Sequence, residues 1–147
     1  MRVRLAVAVF CIACTSCARS RLARDEVARV RSPSGRVDAV LVETDGGVGT
    51  DFGYLAYVVR SGAHAPSRGE VAWLSVAVRN QRAYGANLRW TGPTSLTIEY
   101  LDAHAAERRQ TQVLVAPDTI AVALRPGVVD SFAPPGGMLY NLQRARH

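Results

Sequence analysis

Asn87-Leu88-Arg89-Trp90-Thr91-Gly92-Pro93-Thr94-Ser95-Leu96-Thr97-Ile98-Glu99-Tyr100 is the stretch on which the fold turns. Leu88 and Trp90 alternate with Asn87, Arg89 and Thr91; past Gly92-Pro93, Leu96, Ile98 and Tyr100 alternate with Thr97 and Glu99. A two-residue period puts every apolar side chain of such a run on one face, so the stretch reads as a hairpin with one face in a core and the other in water.

The same punctuation continues in both directions. Residues 27–31 and 37–44 flank Ser32-Pro33-Ser34-Gly35, where Pro presets one φ and Gly accepts a positive one. The run 37–42 is apolar on both faces, as a central strand is, and 54–59 reads alike. Residues 72–78 turn Leu74, Val76 and Val78 to one side, and 113–116 and 120–124 are joined by Pro117-Asp118-Thr119. Asp102 stands in capping position before 103–110, a segment rich in Ala, Glu, Arg and Gln that predicts one short helix. The expected fold class is mainly β: a single small antiparallel sheet or a two-sheet sandwich of about seven strands, with that one helix.

The length of 147 residues suits one folded unit, and no apolar run reaches the roughly 18 residues of a membrane span. The hairpins at 32–42 and 87–100 each resemble a blade of the Ser-Pro-Asp-Gly propellers, but a propeller needs at least about four blades of some 40 residues. Beyond Gly127 comes the loop Pro134-Pro135-Gly136-Gly137, then Met138, Leu139, Tyr140 and Leu142, which are expected to dock on the body.

The amino end carries an address. Arg2 and Arg4 precede the apolar segment 5–13, followed by small residues, the pattern of an export leader. All three cysteines, Cys11, Cys14 and Cys17, lie in or at the end of it, so no disulfide staples the body. Cys14-Thr15-Ser16-Cys17 resembles the lipobox of bacterial lipoproteins, with Cys14 where Leu is usual; this implies cleavage before Cys17, its acylation, and a membrane partner. Cys14 is the alternative anchor, and cleavage after Ala18 would give a soluble secreted product. Ala18, a neutral residue after the anchor, implies by the same resemblance an outer-membrane or periplasmic location. The expected organisation is a leader and lipobox at 1–17, an Arg-rich tether at 18–26 and a single β domain at 27–147. Arg19, Arg21, Arg24, Arg29 and Arg31 form either a cluster held near anionic headgroups or a solvated tether.

The net charge of +6 misleads until it is located. All 18 basic residues are Arg. Residues 1–36 hold eight Arg against Asp25 and Glu26, whereas 37–143 hold eight Arg against ten acids, and Arg144 and Arg146 complete the total. Nucleic-acid binding concentrates positive charge on the folded surface, and here that part is slightly acidic, which argues against a DNA or RNA partner.

Ser32-Pro33-Ser34-Gly35-Arg36, Ala39-Val40-Leu41-Val42-Glu43, Asp45-Gly46-Gly47, Thr50-Asp51-Phe52-Gly53, Asn87-Leu88-Arg89-Trp90 and Leu96-Thr97-Ile98-Glu99-Tyr100 follow one another in an order that resembles a group of small bacterial envelope proteins and lipoproteins, many with a leader. The resemblance covers roughly residues 31–101. It carries no activity with it. Relatives usually have Asp in place of Ser34 and often Cys in place of Gly46, departures that speak against a redox or metal role for that loop.

Chemistry is sparse. His64, His104 and His147 are isolated and the body has no Cys, so neither a metal site nor a cofactor is expected. The glycine-rich segment 45–51, with Asp45 and Asp51, is the most site-like loop, yet it lacks both the phosphate-loop Lys and alternating calcium ligands. Residues 61–67 surround His64 with hydroxyls but bring no acidic partner for it, and no catalytic residue is assigned. Residues 79–87 are dense in donors; Arg82, Tyr84 and Asn87 suit a small anionic or glycan ligand. The expected function is a non-enzymatic envelope module with a protein or glycan partner. The alternatives are a small secreted or periplasmic hydrolase assembled from distant residues, and a secreted inhibitor.

Overall fold

Because 37–42 is apolar on both sides, its strand has to be covered on both. The computed structural model, which describes residues 23–46, 51–80 and 83–129, achieves this with two sheets and a strap. The strands are β1 (Ala23–Arg31), β2 (Val37–Asp45), β3 (Gly53–Arg60), β4 (Ala72–Ser75), β5 (Arg79–Asn80), β6 (Ala83–Tyr84), β7 (Ala86–Gly92), β8 (Ser95–Tyr100), β9 (Ala105–Arg108), β10 (Gln112–Val115) and β11 (Asp118–Arg125). Five form one sheet in the order β1-β2-β3-β4-β9, four another in the order β10-β11-β8-β7, and β5 with β6 is a small ribbon. The fold is thus mainly β and built on two sheets, with β11 lying parallel to β8.

The inward positions of the two sheets make one core. Val37, Ala39 and Leu41 of β2, Tyr54, Ala56 and Val58 of β3, and Leu74 of β4 pack with Leu88, Leu96, Ile98, Ile120 and Val122 of the second sheet. Each such aliphatic side chain stabilises the fold by about 1.5–3 kcal/mol. The edges are joined as well: the Trp90 indole N–H of β7 donates to the Val30 carbonyl of β1 at 2.9 Å. Arg36, in the β1–β2 turn, holds Asp118 at the start of β11 through two contacts of 2.9 and 2.7 Å. On β10, Leu114 points outward and is 69% exposed.

Three expectations are corrected. Residues 103–110 are not a helix: 105–108 form β9 against β4. Helix-favouring composition yields here because a helix of that sequence would have no apolar stripe to bury, whereas β4 had an open row of backbone groups. The sheet also begins at Ala23, so residues 23–26 belong to β1 rather than to a tether, and Arg24, Arg29 and Arg31 with them. Residues 76–78 leave the strand; Val76 adopts φ 48°. The C-terminal residues Met138, Leu139, Tyr140 and Leu142 lie outside the described residues.

A bulge in β1 decides what faces outward. Glu26 pairs with Val42 and Ala28 with Leu41, leaving Val27 as an extra residue. Regular alternation would put Glu26 and Arg29 on opposite faces; the extra residue puts them on the same one. Arg29 then grips Glu26 through Nε and Nη2, both at 2.8 Å, and Asp38 through Nη1 at 2.9 Å.

This network pins the segment 61–70 across the outer face of the five-stranded sheet. The Gly62 N–H donates to Asp38 at 2.8 Å, Arg29 donates to the Ala63 carbonyl at 3.0 Å, and Arg24 to the Pro66 carbonyl at 3.2 Å. Beneath the strap, Val40, Val42, Tyr57 and Val59 form a second buried cluster.

Burial pushes the Asp38 carboxyl up, but hydrogen bonds from Gly62, Arg29 and Ser61 outweigh it and hold the group below the usual carboxylate range. Such a group stabilises the fold above its unfolded value of about 3.9 and loses that contribution as pH falls through the folded one. Asp38→Asn should therefore cost about 3 kcal/mol at neutral pH, with the deficit narrowing below about pH 4, as read from urea unfolding across pH. A deficit that does not change with pH would contradict the assignment.

Candidate functional site

The two-residue period that carries Val37, Ala39 and Leu41 into the core carries Glu43 there too. Glu43 is opposite Asp25 of β1 on one side and Tyr54 of β3 on the other, so a polar row crosses three strands at one end of an apolar core. All three are buried, Glu43 and Tyr54 to 0% exposure. A buried carboxylate needs a countercharge. Arg79 supplies it.

Arg79 reaches the row because the chain turns sharply after β4. Val76, with its positive φ, donates its N–H to the Phe52 carbonyl at 3.0 Å, and the Val78 N–H donates to the Asp102 carbonyl at 2.8 Å. A non-glycine residue with positive φ is uncommon, and for a β-branched one it is a true outlier that the surroundings must enforce. The β5–β6 ribbon then opens with Arg79. Its Nη2 lies 2.7 Å from Glu43 Oε2, a Coulombic contact rather than a well-directed hydrogen bond. The guanidinium carbon is 3.9 Å from the Phe52 ring centroid and 5.2 Å from that of Tyr54, within cation–π range. Gly85 closes the ribbon at φ +60°, where a Cβ would lie 2.3 Å from the Tyr54 hydroxyl.

The residues marked in the sequence divide around this centre. Asp45 ends β2, opposite Ala23, and Asp51 is exposed just ahead of Phe52, both at the Arg79 end. Tyr84 pairs with Arg79 across the ribbon. Asn87 goes elsewhere: it stands opposite Glu99 in the second sheet, its Oδ1 accepting from the Leu88 N–H at 3.0 Å. Glu99 there is flanked by Arg125 at 3.3 Å and Arg89 at 3.8 Å. Arg82 and Cys17 lie outside the described residues. The hydroxyl-rich segment around His64 is the strap, its Ser61 bonded to Asp38.

Asp25, Glu43, Tyr54 and Arg79 were not singled out from the sequence. The signal for Glu43 was present, since it shares a face with Leu41 and Ala39; the pairing partner of Asp25 and the path of Arg79 depend on contacts that a single sequence does not contain. The arrangement closes Glu43 off and leaves Arg79, with 24% of its side chain exposed, at the surface of this end. Its Nε and Nη2 are buried with Glu43, so only the remainder of the side chain reaches the surface. On the outer face of the five-stranded sheet a cleft of about 190 Å³ is lined by Arg24, Glu26, Val42 and Ala65, smaller than the roughly 300–1,000 Å³ of ordinary small-molecule sites. Arg24 is already engaged there, donating to the Tyr57 hydroxyl at 2.6 Å. Among the described residues no group of three or more His, Cys, Asp or Glu is gathered to hold a metal ion.

No protein-family model, curated protein or solved structure matches the chain.

Breaking a buried pair strands a charge, whereas replacing both members by apolar groups does not. Arg79→Met and Glu43→Leu should each cost about 3 kcal/mol in urea unfolding, and the double variant should recover much of that loss. Strictly additive losses would show that the two side chains are not coupled.

Proposed function

We propose that the protein is an exported, envelope-associated β module that binds a partner rather than transforming a substrate, and that it is tethered through acylated Cys17 at the periplasmic or outer membrane surface. One observation carries the binding assignment. Polar residues far apart in the chain, Asp45 at the end of β2, Asp51 ahead of β3 and Arg79 at the start of β5, fall at a single end of the sandwich, where Arg79 contacts Glu43 and Phe52. Polar connections held on a rigid scaffold are where recognition is usually built. The solvent-facing part of Arg79, with Asp45 and Asp51 beside it in the fold, suits an envelope protein or a glycan, both rich in hydroxyl and charged groups.

A hydrolase would have to use the two facing acids, Asp25 and Glu43. General acid–base catalysis requires a carboxyl within hydrogen-bond reach of its substrate. Glu43 is sealed at 0% exposure with Arg79 against it, which favours a structural role for the row. The anchor rests on the sequence of the leader and on the nearness of Cys17 to the first strand.

Cys17→Ser should move the protein from the membrane fraction to the soluble fraction, and unchanged partitioning would overturn the anchor. A photo-crosslinking side chain at position 51 should give a discrete adduct in intact cells, while one at position 34, at the opposite end, should not. Equal adducts at both positions, or none at 51, would overturn the binding assignment.

A further inference from the structure

The register of β1 fixes which end of the sandwich a lipid on Cys17 would hold near the membrane. Ala23 begins β1 opposite Asp45, at the end where β2 finishes. At that same end Gly53 opens β3 opposite Thr44, Ser75 closes β4 opposite Gly53, and Ala86 opens β7 opposite Tyr100. This is the end that carries Glu43 and Arg79. The opposite end holds the turn at 32–36, Arg60 at the close of β3, and the start of β11 at Asp118.

The distances decide the orientation. From Cys17 to Ala23 there are six chain steps, which span at most about 22 Å fully extended. The nine residues of β2 run the length of the sheet, about 27 Å at the usual rise. The leash is therefore shorter than the body it holds. Anchoring at Cys14 would lengthen it by about 11 Å, beyond the length of the sheet, and would no longer fix which end is nearer.

The leash itself carries positive charge. Arg19 and Arg21 immediately follow the anchor in sequence, and a basic side chain near an anionic headgroup layer contributes about 1 kcal/mol. At the far end Arg36 is held by Asp118, while Asp45 and Asp51 stand at the near end, so the orientation is carried by the leash and its arginines and not by the charge of the body.

We propose that the sandwich stands end-on at the bilayer, with the Arg79 and Asp51 end toward the lipid headgroup layer and the 32–36 turn pointing away. The Arg79 end then meets its partner close to the headgroup layer. This rests on the acylation of Cys17 proposed above, and the experiment separates the two.

The full lipidated chain, reconstituted into phosphatidylethanolamine and phosphatidylglycerol vesicles containing a headgroup-attached quencher, is labelled with a thiol fluorophore in the variants Asp51→Cys and Ser34→Cys. Circular dichroism checks that each variant is folded. Quenching should be several-fold stronger at position 51 than at 34. Equal quenching means that the molecule lies on its side, stronger quenching at 34 means that it is inverted, and either overturns the orientation while the anchor stands. Failure of the lipidated chain to float with the vesicles overturns the anchor, and the orientation falls with it.

Discussion

Strand β2 has to be kept from water on both of its faces. Its inward residues, Val37, Ala39 and Leu41, are covered by the second sheet, as strands in sandwiches ordinarily are. Its outward residues, Val40 and Val42, have no third sheet above them and are covered instead by the irregular segment 61–70. A loop has little apolar area with which to hold itself down. The charged network of Glu26, Arg29 and Asp38 does so, by binding the backbone of the strap at Gly62 and Ala63. The ion pairs of this domain are in that sense fasteners, and they explain why arginines that look like a tether in the sequence are committed to the sheet.

The same economy recurs at the Arg79 end. A carboxylate in the core-facing row of β2 is unfavourable unless a cation reaches it. The chain brings one there through a turn that requires Val76 to take a positive φ and leaves no room for a side chain at Gly85. Local backbone strain and the absence of a Cβ are tolerated because together they bring Arg79 between Glu43 and two aromatic rings. Such a centre holds Phe52 and the opening of the β5–β6 ribbon to the end of β2.

Much of the architecture was legible in the sequence wherever a local rule decided it. The alternation of Leu88, Trp90, Leu96 and Ile98 gave the hairpin, and the two-sided apolarity of 37–42 marked a central strand. What depended on distant pairing was not legible. Residues 105–108 became a strand only because β4 offered an edge, and β11 lies parallel to β8, a crossover that no turn signal announces. The candidate site follows the same division. Asp45, Asp51 and the stretch that opens at Arg79 were marked by polarity and glycine content, and Asp45, Asp51 and Arg79 fall at one end. Asn87 was marked by the same criteria and lies on the outer side of the second sheet, since its neighbour Leu88 takes the core position. Glu43 was overlooked because charge suggested the surface, although its position in the alternation put it inside.

The unpaired Val27 has a consequence for how this protein can vary between relatives. By shifting the phase of β1 midway, it lets an edge strand with charges at odd spacing present them all on one side. A residue gained or lost elsewhere in the strand, unless a second bulge absorbed it, would put Glu26 and Arg29 on opposite faces and break their contact. A change of length within β1 therefore acts on which side its charges take and not only on the reach of the strand. The facing of the first strand is set by its length as much as by its composition.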